Sequence, residues 1–448
     1  MKNICVVGTG YVGLTTGTCF ADMGNHVVCV DIDQAKVASL NAGSMPIHEP
    51  GLGEILVSNL KAGRLTFTSS YAEGLKDAHF VFIAVGTPDD GQGGADLSQV
   101  RSAAKSIGEH LDHPVIVVNK STVPIGTGDL VTSIIDEYRR PEARITVVSN
   151  PEFLREGSAL HDCMEPERVV LGSEDAVAME AVEGIYAGLG APVIKTDLRT
   201  AEMIKYASNA FLATRISFIN EVAAICDKLG ADVKQVALGM GYDSRIGPSY
   251  LDAGLGFGGS CFPKDVKALI RMARDSGQHP QMLEAVMEIN RDRRRWVIDT
   301  LVLTLGTLKE KRVAMLGVAF KPNTDDVREA PALDLIQRLQ NAGAHVRAYD
   351  PAAMENAAAA TEGVDFASDA YSAADSADAV ILVTEWNEFK NLDLVRLRRL
   401  VRRPVLIDGR NVYDPAAATE AGFEYHGVAR GIPPRSLPVI ESETRARG

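Results

Sequence analysis

The chain contains 448 residues, of which 46% are hydrophobic and 23% charged, and its formal net charge is −13. This length exceeds what one hydrophobic core usually supports, and the composition excludes collagen-like, disordered and membrane-spanning chains. The acidic balance also argues against a nucleic-acid partner, because phosphate backbones require a basic face. We therefore expect two or three globular domains that bind neither nucleic acid nor membrane.

The first residues and the cysteines bear on location and on metal binding. The opening "MKNICVVGTG" reaches a glycine-rich turn after four apolar residues, without a basic region or a cleavage site, so we expect a cytoplasmic protein. Six cysteines occur without a CxxC pair, which favours neither a disulfide framework nor a metal site. Five of them are expected to be buried free thiols, namely Cys5, Cys19, Cys29, Cys163 and Cys226.

A strand, a glycine turn, a helix and a second strand are predicted at the N-terminus. Gly8, Gly10 and Gly13 form G-x-G-x-x-G directly after the apolar run 4–7, and Asp31 ends the next apolar run. Such glycines let the backbone approach a pyrophosphate at the helix N-terminus, where free N–H groups favour anions. The Asp31 carboxylate suits a ribose 2′-hydroxyl and repels a 2′-phosphate, so the pattern predicts NAD rather than NADP. The alternative is a glycine turn in a nucleotide-free domain.

Three later apolar runs end in small or polar residues, at 86–88, 121–123 and 150–153. Because ligands bind beyond the carboxyl ends of strands in an open parallel sheet, these three segments are expected to face one crevice.

The C-terminal third of the chain repeats the plan of the first. "RVAMLGVAF", "AGAHVRAYDP", "SADAVILVT" and "RPVLIDGR" correspond in order to "NICVVGTGY", "MGNHVVCVDI", "KDAHFVFIAV" and "HPVIVVNKS". A second nucleotide-binding-like domain is therefore predicted. It lacks the three-glycine turn and offers Lys321 and Arg328 to some other anion.

Between the two copies, residues 200–230 contain no proline, and their apolar residues recur every three or four positions. This pattern predicts one helix of about 45 Å that can join two domains and pair with a second copy of itself. Lys205 and Asn209 are four residues apart and lie on one face, although a lone lysine on such a helix is more often simply solvated. The basic runs "RDRRRW" and "RLRRLVRR" are interpreted as solvated helix faces.

The stretch "GLGFGGSCFPKD" sets one cysteine between a glycine loop and a predicted helix. The glycines disfavour regular structure, while the proline and the apolar spacing that follow are typical of a helix N-terminus. There the helix dipole and Lys264 would lower the pKa of the Cys261 thiol, and the glycines would leave room for a substrate at the sulfur. The alternative is a small packing residue at a turn.

Taken together, these motifs resemble those of the UDP-glucose 6-dehydrogenase family. The resemblance rests on "GTGYVG", "PGL", "GTP", "STVP", "NPEFLREG", "AEMIKYASNAFLA", "FINE", "RIG", "GGSCFPKD" and "GVAFKPNTDDVREAPAL", which run in family order from residue 4 to about 413. It implies a four-electron oxidation of a primary alcohol to a carboxylate with two NAD+. The aldehyde would be held on Cys261 as a thiohemiacetal, and water would hydrolyse the thioester that follows.

The resemblance also implies a role for each catalytic residue. Lys205 and Asn209 would stabilise developing oxyanions, and Asp265 would hold and activate a water molecule. Glu152 would be the general acid and base, and Thr122 would orient that water. Without the resemblance, Glu152 would be read as a first-turn carboxylate.

Two ligand sites follow from the motifs and the resemblance. The residues expected at NAD are Gly8, Gly10, Tyr11, Val12, Gly13, Asp31, Lys36, Gly86, Thr87, Pro88, Ser121, Thr122, Glu156, Lys264 and Arg328. The residues expected at the UDP-sugar are Glu152, Phe153, Leu154, Glu156, Lys205, Asn209, Arg245, Tyr250, Gly254, Phe257, Gly258, Lys321 and Arg410. Glu156, one turn beyond Glu152, would contact the nicotinamide side. Arg245 would reach the site of a partner subunit, which implies a homodimer or a higher oligomer.

The expected fold is α/β, with two Rossmann-like doubly wound domains joined by a long central helix and a helical middle domain. An NAD-binding domain is expected at 1–196, the helical domain with the cysteine loop at 197–305, a UDP-sugar-binding domain at 306–430 and a polar tail at 431–448. The same oxidation of GDP-mannose or UDP-N-acetylmannosamine stays open, although phenylalanine after Cys261 resembles the UDP-glucose branch. A two-electron 3-hydroxyacid dehydrogenase or a non-catalytic NAD-binding regulator would leave Cys261 without a use.

Overall fold

A computed structural model of the protein describes residues 1–431, and the chain divides into two compact units. The first unit contains Met1–Phe211, Cys261–Pro280 and Asn323–Asp325, and the second contains Leu212–Ser260, Gln281–Pro322 and the described residues from Asp326 onward. The predicted polar tail lies outside the described residues, apart from Gly431.

The first unit is built on one eight-stranded sheet. Its elements in chain order are β1 Asn3–Val7, α1 Tyr11–Asp22, β2 His26–Val30, α2 Gln34–Asn41, α3 Leu52–Lys61, β3 Leu65–Thr68, α4 Tyr71–Leu75, β4 Phe80–Ile83, α5 Ser98–His110, β5 Val115–Asn119, α6 Thr127–Tyr138, β6 Ile145–Ser149, α7 Ala159–Met164, β7 Val169–Gly172, α8 Ala176–Tyr186, a 3-10 turn at Ala187–Leu189 and β8 Val193–Thr196. The strand order is β3-β2-β1-β4-β5-β6-β7-β8, and only β6 and β7 pair antiparallel. Strand β4 is buried along its whole length, as expected where helices cover both faces of a parallel sheet.

Four helices follow the first sheet in the chain. They are α9 Leu198–Leu229, α10 Val233–Gly241, α11 Phe262–Asp275 and α12 Gln281–Leu305. Helix α9 begins two residues before the predicted start, because Asp197 accepts from the N–H of Thr200 at 2.8 Å and caps the first turn. Within residues 1–431, the structure contains no helix that combines the length and the apolar character needed to cross a bilayer.

The second unit contains a six-stranded sheet in which every pair is parallel. Its elements are β9 Arg312–Leu316, α13 Pro331–Asn341, β10 His345–Tyr349, α14 Met354–Ala360, β11 Asp365–Phe366, α15 Ala370–Ala374, β12 Ala379–Leu382, α16 Asn387–Lys390, α17 Leu394–Leu400, β13 Val405–Asp408, α18 Pro415–Glu420 and β14 Glu424–Gly427. The strand order β11-β10-β9-β12-β13-β14 repeats that of the first six strands of the first sheet. The predicted repeat is therefore confirmed, and so is the α/β fold class.

The turns after β1 and β9 share one backbone geometry. Gly8 and Gly317 have positive φ values of +97° and +94°. The N–H of Gly8 donates to the carbonyl oxygen of Val30 at 2.8 Å, and the N–H of Gly317 donates to that of Tyr349 at the same distance. Each turn is thus tied to the end of the neighbouring strand, in a conformation that favours glycine.

The aspartates that follow the second strand of each sheet have different surroundings. Asp31 accepts from the N–H of Thr9 at 2.9 Å, and Asp350 accepts from the N–H of Val318 at 2.7 Å. Asp350 has no exposed surface and also accepts from the indole N–H of Trp386 at 3.0 Å. The second aspartate is therefore sealed inside its own domain, which explains why the second copy cannot present it to a ribose.

Candidate active site

Two of the three glycines in the turn after β1 have no room for a side chain, and the third has open space beside it. A Cβ at Gly13 would collide with the carbonyl oxygen of Gly8, and a Cβ at Gly8 would lie 2.7 Å from the carbonyl oxygen of Ala84. A Cβ at Gly10 would meet nothing within 4 Å. This open space lies at the N-terminus of α1, where a pyrophosphate approaches the backbone in dinucleotide-binding folds. The turn therefore fits the cofactor that its sequence predicts.

Asp31 is held as a carboxylate by its neighbours. It accepts from the hydroxyl of Thr9 at 2.5 Å, from the N–H of Asp33 at 3.1 Å and from the ammonium of Lys36 at 3.2 Å. Partial burial favours the neutral form, but these hydrogen bonds and Lys36 outweigh it and hold the pKa of Asp31 below its ordinary value. A negative charge is thus maintained where the ribose is expected.

Two of the three segments predicted to line the crevice contact each other at the carboxyl ends of β4 and β5. The hydroxyl of Thr87 donates to the carbonyl oxygen of Thr122 at 2.8 Å. The hydroxyl of Ser121 donates to the carbonyl oxygen of Val85 at 2.7 Å. These bonds fix both segments at one edge of the sheet.

A buried ion pair marks the centre of the site in the first unit. The ammonium of Lys205 on α9 lies 3.1 Å from a carboxylate oxygen of Glu152, and the two side chains are 4% and 5% exposed. Burial alone would lower the pKa of Lys205, but Glu152, Cys261 and Asp265 outweigh it, so that the pKa lies above its ordinary value. Lys205 is therefore a buried cation and not the solvated lysine that a lone helix position suggests.

One turn further along α9, the amide of Asn209 donates to the carboxylate of Asp265 at 2.6 Å. The ammonium of Lys264 lies 2.5 Å from the other oxygen of that carboxylate. Asp265 is 1% exposed, so its charge is compensated by hydrogen bonds and by this cation. Lys264, which we expected to act on the thiol, thus has Asp265 as its ion-pair partner.

Cys261 stands at the start of α11, as the sequence predicts. It occupies the N-cap position, Pro263 lies in the first turn, and the carbonyl oxygen of Cys261 accepts from the N–H of Asp265 at 2.8 Å. The other five cysteines are buried free thiols, which confirms their interpretation, whereas Cys261 is only partly buried. Cys261 lies near enough to Lys205 to contribute to the raised pKa of that ammonium. A partly buried cysteine, a cation and two carboxylates are therefore grouped at one place.

The segment that follows β6 differs from the expectation. Residues 150–155 contain no helix, so Glu156 does not lie one helical turn beyond Glu152, and Glu152 is not a first-turn carboxylate. Instead, the Glu152 carboxylate accepts from the N–H of Leu154 at 2.5 Å and closes a tight local turn. The Glu156 carboxylate accepts from the hydroxyl of Thr324 at 3.3 Å. The N–H of Leu154 is thus satisfied by a neighbouring side chain and not by a helical carbonyl.

Two cations in the first unit were missed by sequence reasoning. The guanidinium of Arg168 stacks on the Phe153 ring at 3.8 Å from its centroid. Lys120 is buried and donates to Asn150 at 3.1 Å and to the Tyr186 hydroxyl at 3.3 Å. Burial lowers the pKa of Lys120 to about 8. The only signal for Lys120 was its place at the end of an apolar strand, since isolated lysines are usually exposed.

The glycine loop that precedes Cys261 in the chain belongs to the second unit, and two of its glycines serve packing. A Cβ at Gly258 would collide with the carbonyl oxygen of Glu329, and one at Gly259 would lie 2.7 Å from the Phe320 ring. The N–H of Gly254 donates to the Asn220 side chain at 2.9 Å. The expectation that these glycines leave room for substrate is therefore wrong at 258 and 259, where the protein itself fills the space.

Two arginines of "RDRRRW" support the same loop, so their interpretation as a solvated face is wrong. Arg293 is 6% exposed, and its Nε donates to the carbonyl oxygen of Gly254 at 3.3 Å. Arg294 donates to the carbonyl oxygen of Phe257 at 3.4 Å. Burial lowers the pKa of both guanidinium groups. Charge runs are usually exposed, and only the packing of α12 under the loop reveals the exception.

The other cations expected at ligands lie in the second unit. Arg410 donates to the carbonyl oxygens of Val383 at 2.7 Å and Gly256 at 3.2 Å, so it braces the glycine loop. Lys321 lies over the Phe320 ring at 5.5 Å from its centroid.

Three further predicted residues are placed on the surface or in a strained turn of the second unit. Arg328 pairs with Asp326 at 2.7 Å, and its side chain is 64% exposed. Arg245 pairs with Asp243 at 2.6 Å, and its side chain is 87% exposed. Tyr250 has a φ of +62°, which is uncommon outside glycine. The structure therefore presents Arg245 to the surroundings, and its proposed role in a partner's site stays a prediction.

Three family models match successive parts of the chain. They describe the UDP-glucose/GDP-mannose dehydrogenase family and cover its NAD binding domain at residues 2–190, its central domain at 199–292 and its UDP binding domain at 314–415. The first match agrees with the open glycine turn and with Asp31.

Proteins similar over nearly the full length bear related names. The chain is 51% identical to a UDP-glucose 6-dehydrogenase of Bacillus subtilis strain 168, with 96% of this chain and 94% of the relative covered. It is 48% identical to a UDP-glucose 6-dehydrogenase of Rhizobium meliloti strain 1021, with 95% and 99% covered. A solved UDP-glucose dehydrogenase from Pyrobaculum islandicum superimposes with a TM-score of 0.90 at 41% identity, with 96% and 98% covered. On these grounds, and on the buried Lys205 centre beside Cys261, the chain belongs to the UDP-glucose/GDP-mannose dehydrogenase family.

Proposed function

We propose that this protein is an NAD-dependent UDP-glucose 6-dehydrogenase, which oxidises the primary alcohol of UDP-glucose to the carboxylate of UDP-glucuronate. Each turnover consumes two NAD+ and one water and releases two NADH and three protons. The family membership and the UDP-glucose 6-dehydrogenases similar to it at 48% and 51% identity support the substrate.

The observation that carries this proposal is the grouping of Cys261 with Lys205 and Asp265. A two-electron alcohol oxidation needs no sulfur. A second hydride can leave only from a tetrahedral carbon that bears a second heteroatom, and a thiolate added to the aldehyde creates such a carbon. A partly exposed cysteine beside a buried cation and a buried carboxylate therefore favours a four-electron reaction.

The glycine turn at Gly10 and the Asp31 carboxylate would hold NAD+, which would supply the hydride acceptor for both oxidations. The other residues expected at NAD, among them Thr87, Ser121 and Glu156, keep that assignment as a prediction.

The first oxidation requires removal of the alcohol proton and stabilisation of the alkoxide. Glu152 accepts that proton, and the ammonium of Lys205 with the amide of Asn209 stabilises the negative oxygen. Burial strengthens both interactions, because the dielectric screening is weak around side chains that are 4% to 6% exposed.

The second oxidation and the hydrolysis depend on Cys261. Its sulfur forms a bond to the aldehyde carbon, and the resulting thiohemiacetal oxygen is stabilised by Lys205. After the second hydride has left, a water that Asp265 activates and Thr122 orients attacks the thioester. The carbon–sulfur bond breaks, the thiolate is restored, and the carboxylate leaves with the sugar nucleotide.

Among the residues proposed at the UDP-sugar, those of the glycine loop, Lys321 and Arg410 belong to the second unit. Cations suit the diphosphate, which the net charge of −13 would otherwise repel. The division into domains that end at 196, 305 and 430 remains part of the proposal, as does the cytoplasmic location.

A homodimer that pairs through α9 is also proposed. The second-unit part of α9 exposes large apolar side chains, with Phe218 47%, Ile225 52% and Leu229 64% exposed. A helix face of this kind is unusual unless a partner covers it. Replacing Ile225 by aspartate should halve the mass measured by light scattering, and an unchanged mass would remove α9 from the interface.

One titration tests the proposed activity. With limiting nucleotide sugar and excess NAD+, we expect two NADH per UDP-glucose and UDP-glucuronate as the product. One NADH per sugar would show a two-electron enzyme. A preference for GDP-mannose or UDP-N-acetylmannosamine would replace the substrate but keep the chemistry, and binding of NAD+ without turnover of any sugar would indicate a regulator.

A further inference from the structure

Glu49 is a buried carboxylate for which the proposed chemistry has no use. It belongs to the stretch "HEPGL", which contains the "PGL" motif, and it is 7% exposed. One of its oxygens accepts from the hydroxyl of Tyr11 and from the N–H of Gly157, the latter at 2.7 Å. The other oxygen accepts from the N–H of Leu160 at 3.3 Å. Three donors from two distant parts of the chain thus converge on one carboxylate.

One of these donors belongs to the cofactor turn. Tyr11 is the first residue of α1 and directly follows Gly10, the open position of the turn. Its hydroxyl also accepts from the N–H of Gly157 at 2.8 Å. The phenol and the carboxylate therefore share one backbone donor, which links the first residue of α1 to residue 157.

The other two donors belong to the segment that follows Glu152. Gly157 has a φ of +78°, and a Cβ there would lie 2.5 Å from the carbonyl oxygen of Asn323. The preceding residue, Glu156, accepts from the Thr324 hydroxyl at 3.3 Å. This segment is thus held by residues 323–324 on one side and by Glu49 on the other. It contains Phe153, Leu154 and Glu156, which are expected at the UDP-sugar.

We propose that Glu49 is a positioning residue that couples the NAD site to the UDP-sugar site, an inference that rests on the proposed function. Its carboxylate holds Tyr11 and the 157–160 backbone in one arrangement. When one ligand orders its own site, it also orders part of the other site through Glu49. The second ligand then loses less conformational entropy on binding, so NAD and the UDP-sugar each increase the affinity for the other.

The variants that test this proposal alter the two ends of the link separately. Glu49→Gln keeps the size but loses the charge and replaces one acceptor oxygen by a donor, which faces N–H groups that it cannot pair. Tyr11→Phe removes only the shared hydroxyl. Glu54→Gln, the same change on an exposed carboxylate of α3, serves as the matched control.

The measurement is the affinity for NADH by fluorescence titration, with and without saturating UDP-glucose, a pair that cannot react. In the parent protein and in Glu54→Gln, UDP-glucose should tighten NADH binding about tenfold, within the usual range of coupling between sites. In Glu49→Gln and Tyr11→Phe this ratio should fall to about one-third or less of that value. Melting temperatures are measured in parallel, because a merely structural role would lower them and leave the ratio unchanged.

The inference is overturned if both variants keep the parent's ratio, whatever their melting temperatures, or if the parent's own ratio is one. Turnover of UDP-glucose by the parent separates this failure from failure of the proposed function. A parent that forms UDP-glucuronate but shows no coupling removes only the role of Glu49. A parent that neither binds nor oxidises UDP-glucose removes the proposed substrate, and the coupling with it.

Discussion

The glycines of the turn after β1 have different roles, because the space around each α-carbon differs. Gly10 has an ordinary φ of −69° and open space where a side chain would begin, whereas the same space at Gly13 is occupied by the backbone of Gly8. A change from glycine to alanine should therefore affect ligand binding at Gly10 and stability at Gly13.

We predict that Gly10→Ala folds like the parent but binds NAD+ at least about tenfold more weakly, because its methyl group enters the open space in which we expect the pyrophosphate to bind. Gly13→Ala should lose about 2 kcal/mol or more of unfolding free energy through the collision with Gly8. Thermal unfolding and the KM for NAD+ check both. Normal NAD+ binding by Gly10→Ala would show that the cofactor lies elsewhere.

Replacement of the Cys261 thiol should separate the first oxidation from the second. Cys261→Ala leaves Lys205, Glu152 and the turn in place, so a weak first oxidation should persist while formation of UDP-glucuronate falls by at least about 10³-fold. Cys261→Ser offers an oxygen that is far less ionised near neutral pH, and any ester formed should turn over slowly. Chromatography of the sugar nucleotides after reaction measures both. Undiminished acid from Cys261→Ala would refute the thiohemiacetal.

The elements around the glycine loop show what sequence alone can and cannot predict. The helix start at Cys261 and the strand and turn at Gly8 are specified by neighbours in the chain, and both were predicted correctly. The burial of Arg293 depends on the loop that α12 packs against, and the irregular path after Glu152 depends on its own carboxylate capping Leu154. Contacts of this second kind leave little trace in local composition.

An arginine exchange on α12 tests the support of that loop. Arg293→Met removes the hydrogen bond to Gly254, so the loop should loosen and the KM for UDP-glucose should rise at least about tenfold, while the KM for NAD+ stays near that of the parent. Arg295→Met, the same change at an exposed position two residues on, should leave both constants unchanged. Equal effects of the two variants, or an effect on NAD+ alone, would contradict the assignment of the loop to the sugar nucleotide.

For the molecule as a whole, the buried Lys120 should leave a signature in stability against pH. The folded protein releases this proton near pH 8, whereas the unfolded chain keeps it to about 10.5. Between these values the unfolded state binds more protons, so the unfolding free energy rises with pH from 8 to 10.5, and this contribution is lost again as the pH falls from 10.5 to 8.

Relative to Lys120→Met, the parent should therefore gain about 1.4 kcal/mol of unfolding free energy per pH unit between pH 8 and 10. Denaturant unfolding at several pH values measures the difference. The exposed Lys61 gives the control, since Lys61→Met should differ from the parent by a constant amount. A constant difference for Lys120→Met as well would mean that its ammonium is not destabilised by burial.

The matching hydrogen bonds from the turn amide to an aspartate, at Thr9 with Asp31 and at Val318 with Asp350, bear on redesign of the proposed cofactor site. The same bond occurs in the second sheet, where Asp350 is fully buried, so it serves the structure of the turn itself. Asp31 thus has a structural role in addition to its proposed contact with the cofactor. An engineer who exchanges it to admit NADP+ would remove a structural tie at the same time, and changes around Lys36 offer a way to alter cofactor choice that leaves this tie intact.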